Sequence, residues 1–122
     1  HSDGDVVLHA LADALLGTAA AGDLGSVFGT TEARWKDAPS AAFVTEALAL
    51  AGHPAVVNVD VTLLAERPRV GEYRDAMRER IAALLGIPAE RVSVKASSGN
   101  GMTGFGRGEG VFASAVVLVE VP

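Results

Sequence analysis

VVNVDVTLLAERPRVGEYRDAMRERIAALLGIPAERVSVKASS, residues 56–98, is the stretch on which the fold class turns. Val56 to Ala65 is rich in β-branched residues and lies between the His53-Pro54 breaker and Pro68. That is the pattern of a buried strand. Glu72 to Leu85 places Tyr73, Met77, Ile81 and Leu84 or Leu85 on one helical face, and Gly86 closes it. Ile87 to Glu90 reads as a connector. From Arg91 to Ser98, Val92, Val94 and Ala96 alternate on one face, which predicts a second strand. Ser98 to Gly110 is glycine-rich, and Val111 to Val121 predicts the final strand.

Upstream, Val6, Leu8, Leu11, Ala12, Leu15, Leu16 and Ala19 recur at helical spacing. Ser2 and Asp5 have capping-box spacing ahead of them, and Gly22 is a plausible stop. Gly22 to Pro39 shows no period and reads as a loop of roughly 15 residues, a length that is usually functional or mobile. Ser40 is positioned to cap a second helix that reaches about Leu50 and closes at Gly52. The order helix, loop, helix, strand, helix, strand, glycine loop, strand predicts one domain. Its class is a small α/β layer sandwich of the α+β type, with helices on one face of a sheet. Val59, Val61 and Leu63 alternate with Val57, Asp60, Thr62 and Leu64. The second face is therefore partly apolar, and a second subunit is expected to cover it.

Composition narrows the function classes. The chain has 122 residues, a size that suits one domain with a real core. Cysteine is absent, so disulfides, thiolate nucleophiles and Cys-based metal sites are excluded. The 10 basic and 15 acidic residues give a net charge of −5, and no basic footprint for nucleic acid or anionic membrane is visible. No apolar run is long enough to span a bilayer, and no signal peptide is apparent at the start.

Three constellations stand out. Asp5, His9 and Asp13 are spaced i, i+4, i+8 on an otherwise apolar helix. They could meet a divalent metal or a polar substrate. Alternatively, Asp5 caps the helix, Asp13 faces water and His9 is a satisfied core histidine. Ser97 to Gly110 contains GxGxxG at Gly99, Gly101 and Gly104, but it leads into a strand and not a helix, which argues against a dinucleotide fingerprint. Its backbone could approach a phosphate closely, or it could simply be a hairpin connection. Arg67 and Arg69 flank Pro68 at a strand exit, where they either contact phosphate or are solvated. His53 and the Lys36-Asp37 pair read as surface features. No Ser/His/Asp arrangement has a defensible signature.

HSDGDVVLHALADALLG at 1–17, GDLGSVF at 22–28, NVDVTLLAERPR at 58–69, VSVKASS at 92–98 and GRGEG at 106–110 occur in this order. Together they resemble the 2-C-methyl-D-erythritol 2,4-cyclodiphosphate synthase family of the non-mevalonate isoprenoid pathway. The resemblance spans nearly the whole chain. It implies a cytoplasmic homotrimer with active sites between subunits and a central cavity, and the richness in Ala, Gly, Val and Arg suggests a bacterial host. The reaction would be a phosphorus–oxygen lyase step: a CDP-linked methylerythritol 2-phosphate cyclises and releases CMP. Zn2+ and a second dication, Mg2+ or Mn2+, would hold the phosphates. No covalent nucleophile is needed.

Carried over by position, the resemblance makes His9 a zinc ligand and places His1 and Ser2 at substrate phosphate. It places Asp13, Asp23, Leu24, Gly25 and Phe28 around the methylerythritol phosphate. Ala65, Arg69, Val70, Ala96, Ser97 and Ser98 would form the cytidine nucleotide pocket. Arg107 and Glu109 would lie by the trimer axis, in a cavity suited to an isoprenoid diphosphate. The sequence departs from the family in three ways. It starts after the N-terminal strand whose Asp-x-His pair completes the zinc site. Asn100 stands at the position of the Glu that holds the second metal. Thr103-Gly104-Phe105-Gly106 reorders an aromatic glycine motif. These departures keep a second reading open: a non-catalytic or altered-substrate member that binds a cytidine nucleotide or an isoprenoid diphosphate.

Overall fold

The computed structural model describes residues 2–29, 38–65, 70–98, 104, 107 and 110–121, apart from the side chains of residues 2, 3, 70 and 72. In chain order the elements are helices α1 (Ser2–Thr18), α2 (Leu24–Phe28) and α3 (Ser40–Leu50), strand β1 (Ala55–Leu64), helix α4 (Val70–Leu85), and strands β2 (Val92–Ser97) and β3 (Phe112–Glu120). A 3-10 turn, Ala89–Arg91, precedes β2. The expected mixed α/β architecture is borne out.

Among the described residues the sheet has the order β2-β1-β3. β2 runs parallel to β1, pairing Val59 with Val92 and Leu63 with Ala96. β3 runs antiparallel to β1, pairing Leu64 with Phe112 and Asp60 with Val116. The register shifts between Val56 and Asn58, a bulge. It explains why Val56 and Val59 both face the core although they are an odd three positions apart.

Period and burial agree closely along α1. Of the expected stripe, Leu8, Leu11, Ala12, Leu15 and Leu16 are buried, whereas Val6 is half-buried, Ala19 is exposed and Val7 is buried in place of Val6. Asp5, His9 and Asp13 are exposed on the opposite side. α1 packs against α3 and β3, and α4 packs against β2. The core between helices and sheet is closed by Val59, Val61 and Leu63 of β1 and Val92 and Val94 of β2. Among the described residues, no helix packs on the other face of the sheet. There Phe112, Val116 and Leu118 are 47%, 67% and 58% exposed.

Helix ends differ from expectation in instructive ways. α1 stops at Thr18, before Gly22. Ala20 takes the left-handed conformation (φ 50), and the Ala21 N–H donates to the Leu16 carbonyl at 2.9 Å. Gly22 serves another purpose: a Cβ there would sit 2.7 Å from the Ser26 hydroxyl at φ 98, so only glycine fits. Gly86 does close α4 (φ 70), with the Ile87 N–H donating to Ala82 O. Tyr73 was expected inward but is 50% exposed. Burial along its stripe grows from Met77 to Ile81 and Leu85, so the first turn of α4 runs beyond the core.

Leu11 is wholly buried between α1 and its neighbours. Leu11→Ala is expected to lower unfolding free energy by about 2–5 kcal/mol, the range for deleting a core leucine side chain. Denaturant titration checks this; a loss under about 1 kcal/mol would place Leu11 outside the organising core.

Candidate functional site

The exposed face of α1 meets the first residue of α3. The Ser40 hydroxyl donates to Asp5 Oδ1 at 2.8 Å, and the same oxygen lies 3.2 Å from His9 Nε2. Ser40 is 8% exposed. It does not cap α3: the N-cap is Pro39, which makes no side-chain cap bond. A serine at a helix start suggests a cap because local capping is its usual role there. Here partners 35 and 31 residues away take its hydroxyl. Asp5 is thus no simple cap for α1, and His9 is exposed, not a core histidine. The His9 ring is edge-on to Phe43 at 5.5 Å, and Phe43 is edge-on to Phe28 at 5.0 Å.

The third member of the α1 face reaches the next element. Asp13 Oδ1 accepts the Leu24 N–H at 2.8 Å, so it anchors the start of α2. The segment read as a loop therefore holds a helix, five residues long and too short to show a period. A sequence signal was present in Asp23-Leu24-Gly25-Ser26. Asp23 Oδ1 accepts the Ser26 N–H at 2.8 Å, and the Asp23 N–H donates to the Ser26 hydroxyl at 3.0 Å. That is a capping box. The Ser26 backbone N–H, with the Ser26 hydroxyl second, holds the Asp23 carboxyl below its ordinary pKa. Gly25 is exposed and Leu24 half-buried. Phe28 is buried, so it supports this face from beneath, through Phe43.

A second cluster lies at the C-terminal end of β1. The Ala65 N–H donates to the Ser97 carbonyl at 3.2 Å, which ties Ala65 to the end of β2. Ala65 is buried, Ala96 and Ser98 are half-buried and Ser97 is exposed. Val70 opens α4. An open groove between α4 and β2, lined by Arg74, Lys95 and Ala96 among others, leads to this end. Two polar ties that sequence reading missed hold its walls. Lys95 Nζ donates to Asp60 Oδ2 at 2.9 Å across β2 and β1, and that ammonium holds the Asp60 carboxyl below its usual range. Arg78 of α4 donates through Nε to the Val92 carbonyl at 2.8 Å and through Nη2 to the Ala89 carbonyl at 2.9 Å.

Two candidate clusters thus belong to opposite flanks. His9, Asp13 and α2 sit with α1, which packs on β3. Ala65 and Ala96–Ser98 sit by β2 and the start of α4. β2 and β3 border β1 on opposite sides. Arg107 is exposed, and its N–H donates to the Gly104 carbonyl at 3.2 Å. His1, Arg69, Asn100 and Glu109 lie outside the described residues, as do Lys36, Asp37 and Arg67. The Ser2 and Val70 side chains do too. His53 is exposed, as expected of a surface residue.

A profile of the YgbB family matches residues 1–120. The chain belongs to the YgbB family. It is 52% identical to the 2-C-methyl-D-erythritol 2,4-cyclodiphosphate synthase of Moorella thermoacetica, over 98% of this chain and 74% of that protein. It is 53% identical to a bifunctional enzyme IspD/IspF of Caulobacter vibrioides, over 100% of this chain and 32% of that protein. The chain thus spans about a third of the bifunctional relatives it matches. A solved 2C-methyl-D-erythritol-2,4-cyclodiphosphate synthase superposes with a TM-score of 0.83 at 34% identity, covering 93% of this chain and 74% of the other. A CDP-bound form of such a synthase superposes at 0.78 and 32% identity, with 93% and 74% covered.

Among the described residues, no group of three or more His, Asp or Glu side chains is placed to hold an ion. The exposed His9 imidazole fits one coordination position and no more. The described residues alone make no metal site. No described helix is long and apolar enough to cross a membrane.

The Asp23 cap has a pH signature. Its lowered carboxyl pKa means that the cap's contribution is present above the ordinary value of about 3.9 and lost as pH falls through the lowered one. Following the Ser26 amide proton by NMR should give a midpoint below about 3.9, and Asp23→Asn should remove that titration. A midpoint at or above the ordinary value would show that the cap is not formed.

Proposed function

We propose that the chain catalyses formation of methylerythritol 2,4-cyclodiphosphate from a CDP-linked methylerythritol 2-phosphate. An oxygen of the 2-phosphate attacks the β-phosphorus, the bridging bond to the α-phosphate breaks, and CMP leaves with its oxygen as an anion. The observation that supports this reading is that described members of both flanks are present and tied in place in a chain half identical to a named synthase. His9, Asp13 and α2 stand on one flank, and Ala65 is tied to Ser97 on the other.

In this reading Ala65, Arg69, Val70, Ala96, Ser97 and Ser98 bind the cytidine nucleotide. His1 and Ser2 receive phosphate. Asp13, Asp23, Leu24, Gly25 and Phe28 shape the methylerythritol side. Asp13 acts there by fixing the start of α2, and Asp23 by capping it. Zn2+ at His9, with its other ligands outside the described residues, and Mg2+ or Mn2+ near Asn100 are the proposed metals. Arg107 and Glu109 are assigned to an axial cavity able to take an isoprenoid diphosphate. Residues 1–122 act as one synthase-like unit in a bacterial cytoplasm.

The two flanks also support a homotrimer. A substrate long enough to join a nucleotide to a sugar phosphate meets both clusters when one flank faces the opposite flank of a neighbour. The sheet face with Phe112, Val116 and Leu118 exposed is suited to burial against further copies. The non-catalytic alternative is not favoured, since the named relatives are synthases.

The test is incubation of the metal-supplied protein with the CDP-linked substrate, followed by separation of the nucleotides. CMP and the cyclic diphosphate are expected in equal amounts. His9→Ala should lower the rate by about a hundredfold or more, the scale for removing one group that stabilises developing charge. CDP binding without CMP release would overturn the enzymatic reading in favour of a binding protein.

A further inference from the structure

Asp5, Ser40 and His9 contain the three residue types of a nucleophile triad, but their hydrogen bonds run in the wrong order for one. The Asp5 carboxylate can only accept. The 2.8 Å contact to Ser40 Oγ therefore takes the single hydroxyl proton of Ser40. What remains on that oxygen is acceptor capacity. The 3.2 Å contact to His9 must then be a donation from Nε2–H to Ser40 Oγ. A hydroxyl held this way is no nucleophile, because the ring nitrogen facing it already carries a proton.

We propose that Ser40, itself oriented by Asp5, is a positioning residue that fixes neutral His9 as its Nε2–H tautomer and presents the Nδ1 lone pair as the ring's open ligand atom. Three features support this. Ser40 is buried at the α1–α3 contact, so its oxygen has little freedom to turn away. Phe43 stands edge-on to the imidazole and restricts its rotation. His9 is exposed, so the rest of the ring is open to a ligand. A metal-binding histidine is oriented through the hydrogen bond of its other nitrogen, and Ser40 supplies that bond from a helix 31 residues away in sequence. The ligand class that suits a neutral Nδ1 is a divalent cation of borderline softness such as Zn2+. That consequence rests on the function proposed above, whereas the tautomer rests on the hydrogen bonds alone.

The test uses 15N-labelled, metal-free protein at mildly alkaline pH. The His9 ring is told apart from His1 and His53 by its absence in His9→Gln. Long-range proton–nitrogen correlation should show Nε2 protonated and Nδ1 bare, with an Nε2–H proton protected from exchange. Ser40→Ala should speed that exchange by about tenfold, the factor for one hydrogen bond of ordinary net strength. Ser40→Thr, which keeps a hydroxyl, should restore most of the protection. A ring protonated at Nδ1 in the wild type would overturn the proposal, and so would unchanged exchange in a folded Ser40→Ala. If the tautomer is as stated but added Zn2+ leaves Nδ1 unshifted, the metal reading fails and the positioning role stands.

Discussion

Burying the apolar side of the β2-β1-β3 sheet under α1, α3 and α4 organises everything else in the molecule. Strand geometry sends alternate side chains to opposite faces, so one covered face implies a second that the helices cannot reach. Val59, Val61 and Leu63 are fully buried, while Val116 and Leu118, on β3, remain largely exposed. The same packing holds α1 over β3 and α4 over β2. His9 and the Ala65–Ser97 tie are thereby separated onto two flanks of one chain.

The parts legible in the sequence were those governed by local period. The α1 stripe from Leu8 to Leu16 and the alternation of Val92 and Val94 in β2 follow from side-chain spacing, β1 follows from its β-branched residues between two breakers, and together they fix the fold class. The misread parts were those where a distant partner decides. Ser40 sits where a cap belongs, yet its hydroxyl is taken by residues on α1. α2 depends on the Asp23–Ser26 capping box and on Asp13, 11 residues before Leu24. A five-residue helix has no periodicity to read. The Val56/Asn58 bulge broke the simple alternation that had grouped Val57 with Asp60 and Thr62.

At the candidate site the same division holds. The i, i+4, i+8 spacing put Asp5, His9 and Asp13 on one face, and they are found there, exposed. What each does was not legible, since every one of them bonds to an element far along the chain or to a residue on it. Lys95 with Asp60, and Arg78 with the carbonyls of Val92 and Ala89, likewise needed the strand register and helix placement before their roles could be seen.

The central claim is that one working site is built from the His9 flank of one copy and the Ser97 flank of another. Subunit mixing tests it most directly. His9→Ala and Ser97→Trp, each expected to be inactive alone, are denatured together in equal amounts and refolded. In a ring of three copies with head-to-tail contacts, every mixed ring keeps one site with both flanks intact, so about a quarter of wild-type activity should return. If mixed rings form and no activity returns, both flanks of each site come from the same chain, and the account is contradicted.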